Sequence, residues 1–216
     1  MSTILIYTSP ARGHLYPIMD IALALRAAGH RVIVQTLSDE RDNVVTEGLE
    51  HRAISPKIEA IPLEDFKGSN PVAQFRNAFQ CWLARAEHEL DDLRVATDEL
   101  SIDLLLVDAN TWGAAAFAEG LGRPWAMFMP YCLPLPSPET PAFGPGFAPP
   151  KSAFDRLRDR IVWGATNLGM KKQVAELDRL RARVGAKPVG QHSGIFLRAD
   201  ALLYLFLPQI CITMQR

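Results

Sequence analysis

Two polar side chains stand where a parallel α/β sheet would present them to a ligand. His14 follows the β-branched and aromatic run Ile4–Thr8, at the end of the connection Ser9-Pro10-Ala11-Arg12-Gly13-His14. Asp108 closes Ile102–Val107, the most hydrophobic strand-like run in the chain. Ligands of open α/β sheets bind in the crevice beyond the carboxyl ends of the strands. If both runs share a sheet, both side chains reach that edge. A histidine oriented by a carboxylate is a suitable general base for a hydroxyl proton. The carboxylate fixes the imidazole tautomer and stabilises the imidazolium that forms. Spacing alone fits plainer roles too: a loop or capping histidine, and an aspartate that caps the following helix.

The same connection joins a strand to a helix start, the place where α/β proteins cradle phosphate. It holds a single glycine, Gly13, and matches neither GxGxxG nor GxxxxGK[ST]. Pro10 removes a backbone donor, and His14 and Tyr16 are bulky, so a dinucleotide-dependent oxidoreductase is disfavoured.

The elements that would hold these residues alternate. After the Ile4–Thr8 strand, Ile18, Ile21, Ala22, Leu25 and Ala28 fall at helical spacing, with Pro17 in the first turn and Gly29 as the stop. Arg31–Thr36 is a second strand, completing a βαβ unit. Glu40–Gly48 reads as a short helix, and His51–Ile54 and Ile58–Pro62 as short strands. Asn70 caps a long helix with Pro71 at its first position, running to about Leu100. Phe75, Phe79, Trp82, Leu83 and Leu90 line one face of it, and Asp91, Asp92 and Arg94 the other. A helix over Thr111–Leu121, a strand over Trp125–Met129 and a last strand over Ala201–Leu207 complete a doubly wound, mostly parallel α/β sheet of Rossmann type. Residues 1–216 read as one domain. Within it, 130–151 is a loop holding eight of the 16 prolines, and 152–184 reads as two amphipathic helices that meet at Met170 and Lys171.

Composition bounds the function. Hydrophobic residues at 48% and charged residues at 22% describe a globular chain, and a net charge of −1 without a basic patch argues against nucleic acid. Cys81, Cys132 and Cys211 form no CxxC pair, and scattered thiols suit a reducing cytoplasm. No apolar run approaches the ~20 residues of a membrane span.

Arg12-Gly13-His14-Leu15-Tyr16-Pro17, followed by a helix ending in Gly29-His30-Arg31-Val32, resembles the start of GT-B glycosyltransferases of the UDP-glycosyltransferase superfamily. The bacterial enzymes that glycosylate macrolides and other natural products are most similar in character. Glu47-Gly48-Leu49-Glu50-His51 and the block Asp103–Phe128 extend the resemblance, which covers residues 1 to about 130 well and the rest loosely. The resemblance implies a chemistry. His14 is the base and Asp108 its partner; an acceptor hydroxyl attacks the anomeric carbon of a UDP- or TDP-sugar in line, inverting it with no required metal. A nucleotide-diphosphate sugar serves as co-substrate, with no further cofactor. An acceptor domain would use Phe75, Phe79, Trp82, Trp112, Phe128 and the proline-rich loop as walls for a small apolar natural product. Ordinary core packing explains each of those aromatics as well. Gly13 would stand on the donor side.

The chain also departs from that family. Members are roughly twice as long, with a second Rossmann-like domain for the nucleotide sugar, and the donor signature of that domain is absent from these residues. Gln191-His192-Ser193-Gly194 echoes it only superficially and is given no donor role. The expectation is an acceptor domain inactive by itself; the alternative is a stand-alone small-molecule-binding or helper domain without catalysis.

Overall fold

The computed structural model describes the chain apart from residues 132, 133, 143, 144, 207, 208, 215 and 216. Cys132 and the last residue of the strand expected over Ala201–Leu207 therefore lie outside the described residues. Seven strands form one sheet in the order β3-β2-β1-β4-β5-β6-β7. They are β1 (Thr3–Tyr7), β2 (Arg31–Thr36), β3 (Glu50–Ala53), β4 (Leu104–Asp108), β5 (Trp125–Met129), β6 (Ala201–Phe206) and β7 (Gln209–Met214). The first six are parallel, and β7 adds an antiparallel edge that the sequence reading did not anticipate. The order reverses between β1 and β4, and that switch point is where a doubly wound sheet opens its crevice.

Side-chain alternation along the strands splits the core in two. Ile4, Ile6, Leu106, Ala126 and Phe128 face α1 (Arg12–Ala27) and α2 (Arg41–Thr46). Leu5, Tyr7, Leu105, Val107, Met127 and Met129 face the layer of α4 (Pro71–Glu99), α5 (Trp112–Gly120) and α6 (Ala153–Arg183). A single-turn α3 (Pro56–Glu59) lies between β3 and α4.

Four expectations change. Helix α1 starts at Arg12 rather than near Pro17, because the N–H groups of His14 and Leu15 both bond to the carbonyl of Ala11 and close the first turn early. Pro17 then sits in the second turn, and its missing N–H leaves the carbonyl of Gly13 without a helical donor. The segment Ile58–Pro62 is not a strand: Ser55 accepts from Lys57 N with Pro56 at the first position, which starts α3. The two helices expected over 152–184 are one. A capping box of Ser152 and Asp155 starts α6, and its buried stripe of Trp163, Met170, Val174, Leu177 and Leu180 runs unbroken through Met170 and Lys171. Asp92, expected on the face of α4 away from the apolar residues, is half-buried and accepts from Tyr7 Oη (2.9 Å) and Ser55 N (2.8 Å).

Helices α4 and α5 approach at backbone contact. A Cβ on Gly113 would lie 1.8 Å from the carbonyl oxygen of Ala86, so only glycine allows this crossing. Gly29, with φ of 85°, turns the chain out of α1 into β2. Among the described residues, no helix is long and apolar enough to cross a membrane.

Candidate active site

The switch point brings the two candidate residues together. His14 lies in the first turn of α1, directly after β1, and Asp108 is the last residue of β4. Because β1 and β4 are adjacent and in register, with Tyr7 opposite Val107, both side chains emerge at one edge. His14 Nδ1 is 2.7 Å from Asp108 Oδ2. Ser9 donates to the same oxygen through Oγ (3.0 Å) and N (3.4 Å), and Asn110 N donates to Oδ1 (2.8 Å). Asp108 is fully buried and acceptor-only, so the ring proton resides on Nδ1 and the lone pair on Nε2. Burial works against a charged His14, but the charge of Asp108 and its hydrogen bond outweigh it and hold the imidazole above its ordinary value.

Asp108 is not the cap of α5, the plainer role that spacing allowed. Its Oδ1 closes a local turn onto Asn110 N, and the first free N–H groups of α5 belong to a remote residue. Glu89 of α4 accepts from Gly113 N (2.8 Å) and Ala114 N (3.4 Å). Burial pushes the Glu89 carboxyl up to about 8, against the lowering by those two N–H groups.

The first turns of α1 that carry His14 are held by Glu40, buried at the start of α2. Glu40 accepts from Arg12 Nε, Asn43 Nδ2 (2.6 Å) and Tyr16 Oη (3.3 Å), tying the first turns of α1 to the end of β2. Asn110 Nδ2 reaches His14 Nε2 at 3.3 Å, and Tyr131 Oη donates to Asn110 Oδ1 at 2.7 Å. A hydroxyl arriving at Nε2 therefore meets an amide already held in place.

These groups open onto a cavity of about 350 Å³. Phe75, Phe79 and Trp82 from α4 line it, as do Tyr131 and Pro134 from the proline-rich stretch and His192 and Phe196 from the 3₁₀ turn His192–Leu197. The structure thus brings three of the five expected acceptor aromatics to the cavity beside His14 and leaves two out. Trp112 is buried behind the wall, 4.5 Å from Phe79 and 5.4 Å from Trp82 between ring centres. It starts α5, whose first turn packs inward on α4. Phe128 points from β5 to the α1 face, because strand residues alternate, and is core on the far side of the sheet. Gly13 is exposed at the second position of α1, with open space where a Cβ would project.

Ser9, Asn110, Tyr131 and His192 are additions. Asn110 had a local signal, two residues after a strand-ending aspartate. Ser9 had a weaker one, Tyr131 falls in the proline-rich loop expected as a wall, and His192 had none for this role, since tertiary folding alone brings it to the cavity.

No family model matches the chain. The 4'-demethylrebeccamycin synthase of Lentzea aerocolonigenes is 27% identical over 195 residues, 84% of this chain and 45% of that protein. The L-demethylnoviosyl transferase of Streptomyces niveus is 29% identical over 127 residues, 56% of this chain and 33% of that protein. Among solved structures, the glycotransferase of kitacinnamycin matches with a TM-score of 0.65 at 20% identity, over 94% of this chain and 46% of that one. The Streptomyces sp. SF2575 glycosyltransferase SsfS6 matches with a TM-score of 0.58 at 19% identity, over 87% and 47%; a second structure of it holds thymidine diphosphate. At such identities the structural likeness is one of fold. The chain spans about half the length of these proteins or less.

Proposed function

We propose that this chain, similar to bacterial natural-product glycosyltransferases and folded like half of a GT-B enzyme, is an acceptor-binding half, with His14 as the base of an inverting sugar transfer. One observation carries the reading: the hydrogen-bonded pair of His14 and Asp108 opens onto an aromatic-walled cavity at the switch point of the sheet.

In the proposed reaction an acceptor hydroxyl takes the place of the Asn110 amide at His14 Nε2. As the proton passes to Nε2, the oxygen attacks the anomeric carbon of a nucleotide-diphosphate sugar. The bond from that carbon to the phosphate oxygen breaks on the opposite face, and the nucleoside diphosphate leaves. Asp108 keeps Nε2 free to receive the proton and stabilises the resulting imidazolium, while dispersion and apolar burial on Phe75, Phe79 and Trp82 hold the acceptor. Gly13, exposed at the N-terminal end of α1, is the proposed point where the backbone accommodates the donor's phosphates. In this proposal the rest of the donor site belongs to the part of the relatives that these 216 residues do not match, and these residues by themselves are expected to bind acceptors without transferring sugar.

The test pairs these 216 residues with the remaining half of a relative and follows transfer from TDP- or UDP-sugar to a phenol. His14→Ala is expected to lower the transfer rate about 10²- to 10⁴-fold, the range of a lost general base, with acceptor affinity retained. Undiminished transfer by that variant would overturn the catalytic assignment and leave a binding module.

A further inference from the structure

We propose that His192 is a recognition residue of the cavity: its Nε2 accepts a hydrogen bond from a second hydroxyl or N–H group of a planar aromatic acceptor. The inference rests on the acceptor-binding reading above and specifies what that acceptor must carry.

The ring of His192 is held on several sides. Trp163 and Asn167, one turn apart on α6, share a helix face. Trp163 stacks on the imidazole with ring centres 5.0 Å apart and 22° between planes. Phe75 and Phe79 of α4 meet it edge-on at 6.2 Å. Asn167 Oδ1 lies 2.7 Å from Nδ1 and accepts its proton. A neutral imidazole with its proton on Nδ1 has its lone pair on Nε2. Burial lowers the basicity of His192 to about 4, so the ring is neutral and an acceptor through the physiological range.

Nε2 has no hydrogen-bond partner among the described residues, although the side chain is 96% buried, its exposure being 4%. It is also not among the polar atoms sealed from solvent, and the residue lines the cavity. The unfilled lone pair therefore has access to the cavity, from a ring whose plane the Trp163 stack holds and whose flip would lose the Asn167 bond. A fixed, neutral acceptor in an apolar wall gains from a donor group and loses when an apolar group covers it. The rest of the wall around it, Phe75, Phe79, Trp82 and Phe196, favours flat apolar rings. Among the polar groups that line the cavity, which also include Asp65, Gln74, Asn110 and Tyr131, the base at His14 takes the reacting hydroxyl and the neutral acceptor at His192 takes a second donor. An acceptor that satisfies both is an aromatic with donors at two separate positions.

The test uses the unmodified chain with naphthol and a panel of dihydroxynaphthalene isomers, titrated by tryptophan fluorescence. The best-fitting diol is expected to bind about 3- to 10-fold tighter than naphthol, the worth of one neutral hydrogen bond. In His192→Phe, which keeps the aromatic packing, that advantage disappears and the diol and naphthol bind alike. Independently of any variant, NMR of the histidine ring nitrogens should show Nε2 of His192 responding to the diol and not to naphthalene, which has no donor. A diol advantage that survives in His192→Phe, or diols no tighter than naphthol on the unmodified chain, overturns this inference and leaves the acceptor reading intact. If neither naphthol nor any diol binds, the acceptor reading itself fails, and this inference with it.

Discussion

Replacing Asp108 with asparagine tests the dyad through stability and titration, without needing a substrate. The carboxylate accepts from His14 Nδ1, Ser9 Oγ and Ser9 N on Oδ2 and from Asn110 N on Oδ1. Every partner is a donor, whereas an amide offers one accepting oxygen and one donating NH₂. The oxygen settles where three donors converge, which turns the NH₂ toward Asn110 N–H and buries two donors against each other. That mismatch costs about 2 kcal/mol, within the range for an unsatisfied buried group, and lowers Tm by roughly 4–8 °C for a chain of this size.

The lost charge adds a pH dependence. His14 has a folded pKa held above the ordinary 6.5, so its pairing contributes stability in full below 6.5 and loses it as pH rises through the folded value. In Asp108→Asn the charge is gone and burial alone acts, lowering the His14 pKa. The gap in Tm between the two proteins should therefore be widest near about pH 5.5 and narrow toward about pH 9, where only the hydrogen-bond mismatch remains. Thermal melts followed by circular dichroism at the two pH values read the gap. NMR titration of the histidine rings, with His14→Gln to assign the signal, reads the pKa directly. A gap that is the same at both pH values, or a His14 titration unmoved by the substitution, refutes the coupling.

Gly113→Ala should destabilise the fold by about 3 kcal/mol, since the added methyl meets the Ala86 backbone rather than a side chain that can swing away; denaturant melts that coincide with the unmodified protein would count against this crossing of α4 and α5. His192 acts with the opposite sign to His14: its folded pKa of about 4 lies below the ordinary 6.5, so the unfolded chain binds the extra proton and stability is lost as pH falls through that interval. His192→Phe is expected to flatten this acid limb, and a limb of unchanged slope in the variant would exclude His192 as its source.

Much of this architecture was legible in the residues. Hydrophobic runs a few residues long, set between helix-period segments, are fixed by local chemistry. Arg31–Thr36 and Trp125–Met129 appear as strands with the expected bounds, and Asn70 caps α4 through Ala73 N as its side chain allows. The rule that strand ends meet at one edge allowed His14 and Asp108 to share a site and the family resemblance singled the pair out, but the strand order that sets β1 beside β4 and brings them to 2.7 Å belongs to the tertiary structure.

What the linear pattern left open depended on which partner each side chain met. Phe79 and Phe128 are equally apolar, yet one lines the cavity and the other is core, because the pleat of β5 turns Phe128 to the opposite face. The cap of α5 comes from Glu89, 24 residues away, rather than from the adjacent Asp108, since backbone donors accept any carboxylate that packing delivers. His192 is tethered by Asn167 and reaches Phe75 across more than a hundred residues of chain. The sequence by itself determined the alternating elements and the edge where chemistry could occur, because both follow from local periodicity. Only the tertiary structure decided the walls of the cavity and the protonation of its two histidines, because burial and pairing are properties of neighbours that local sequence does not encode.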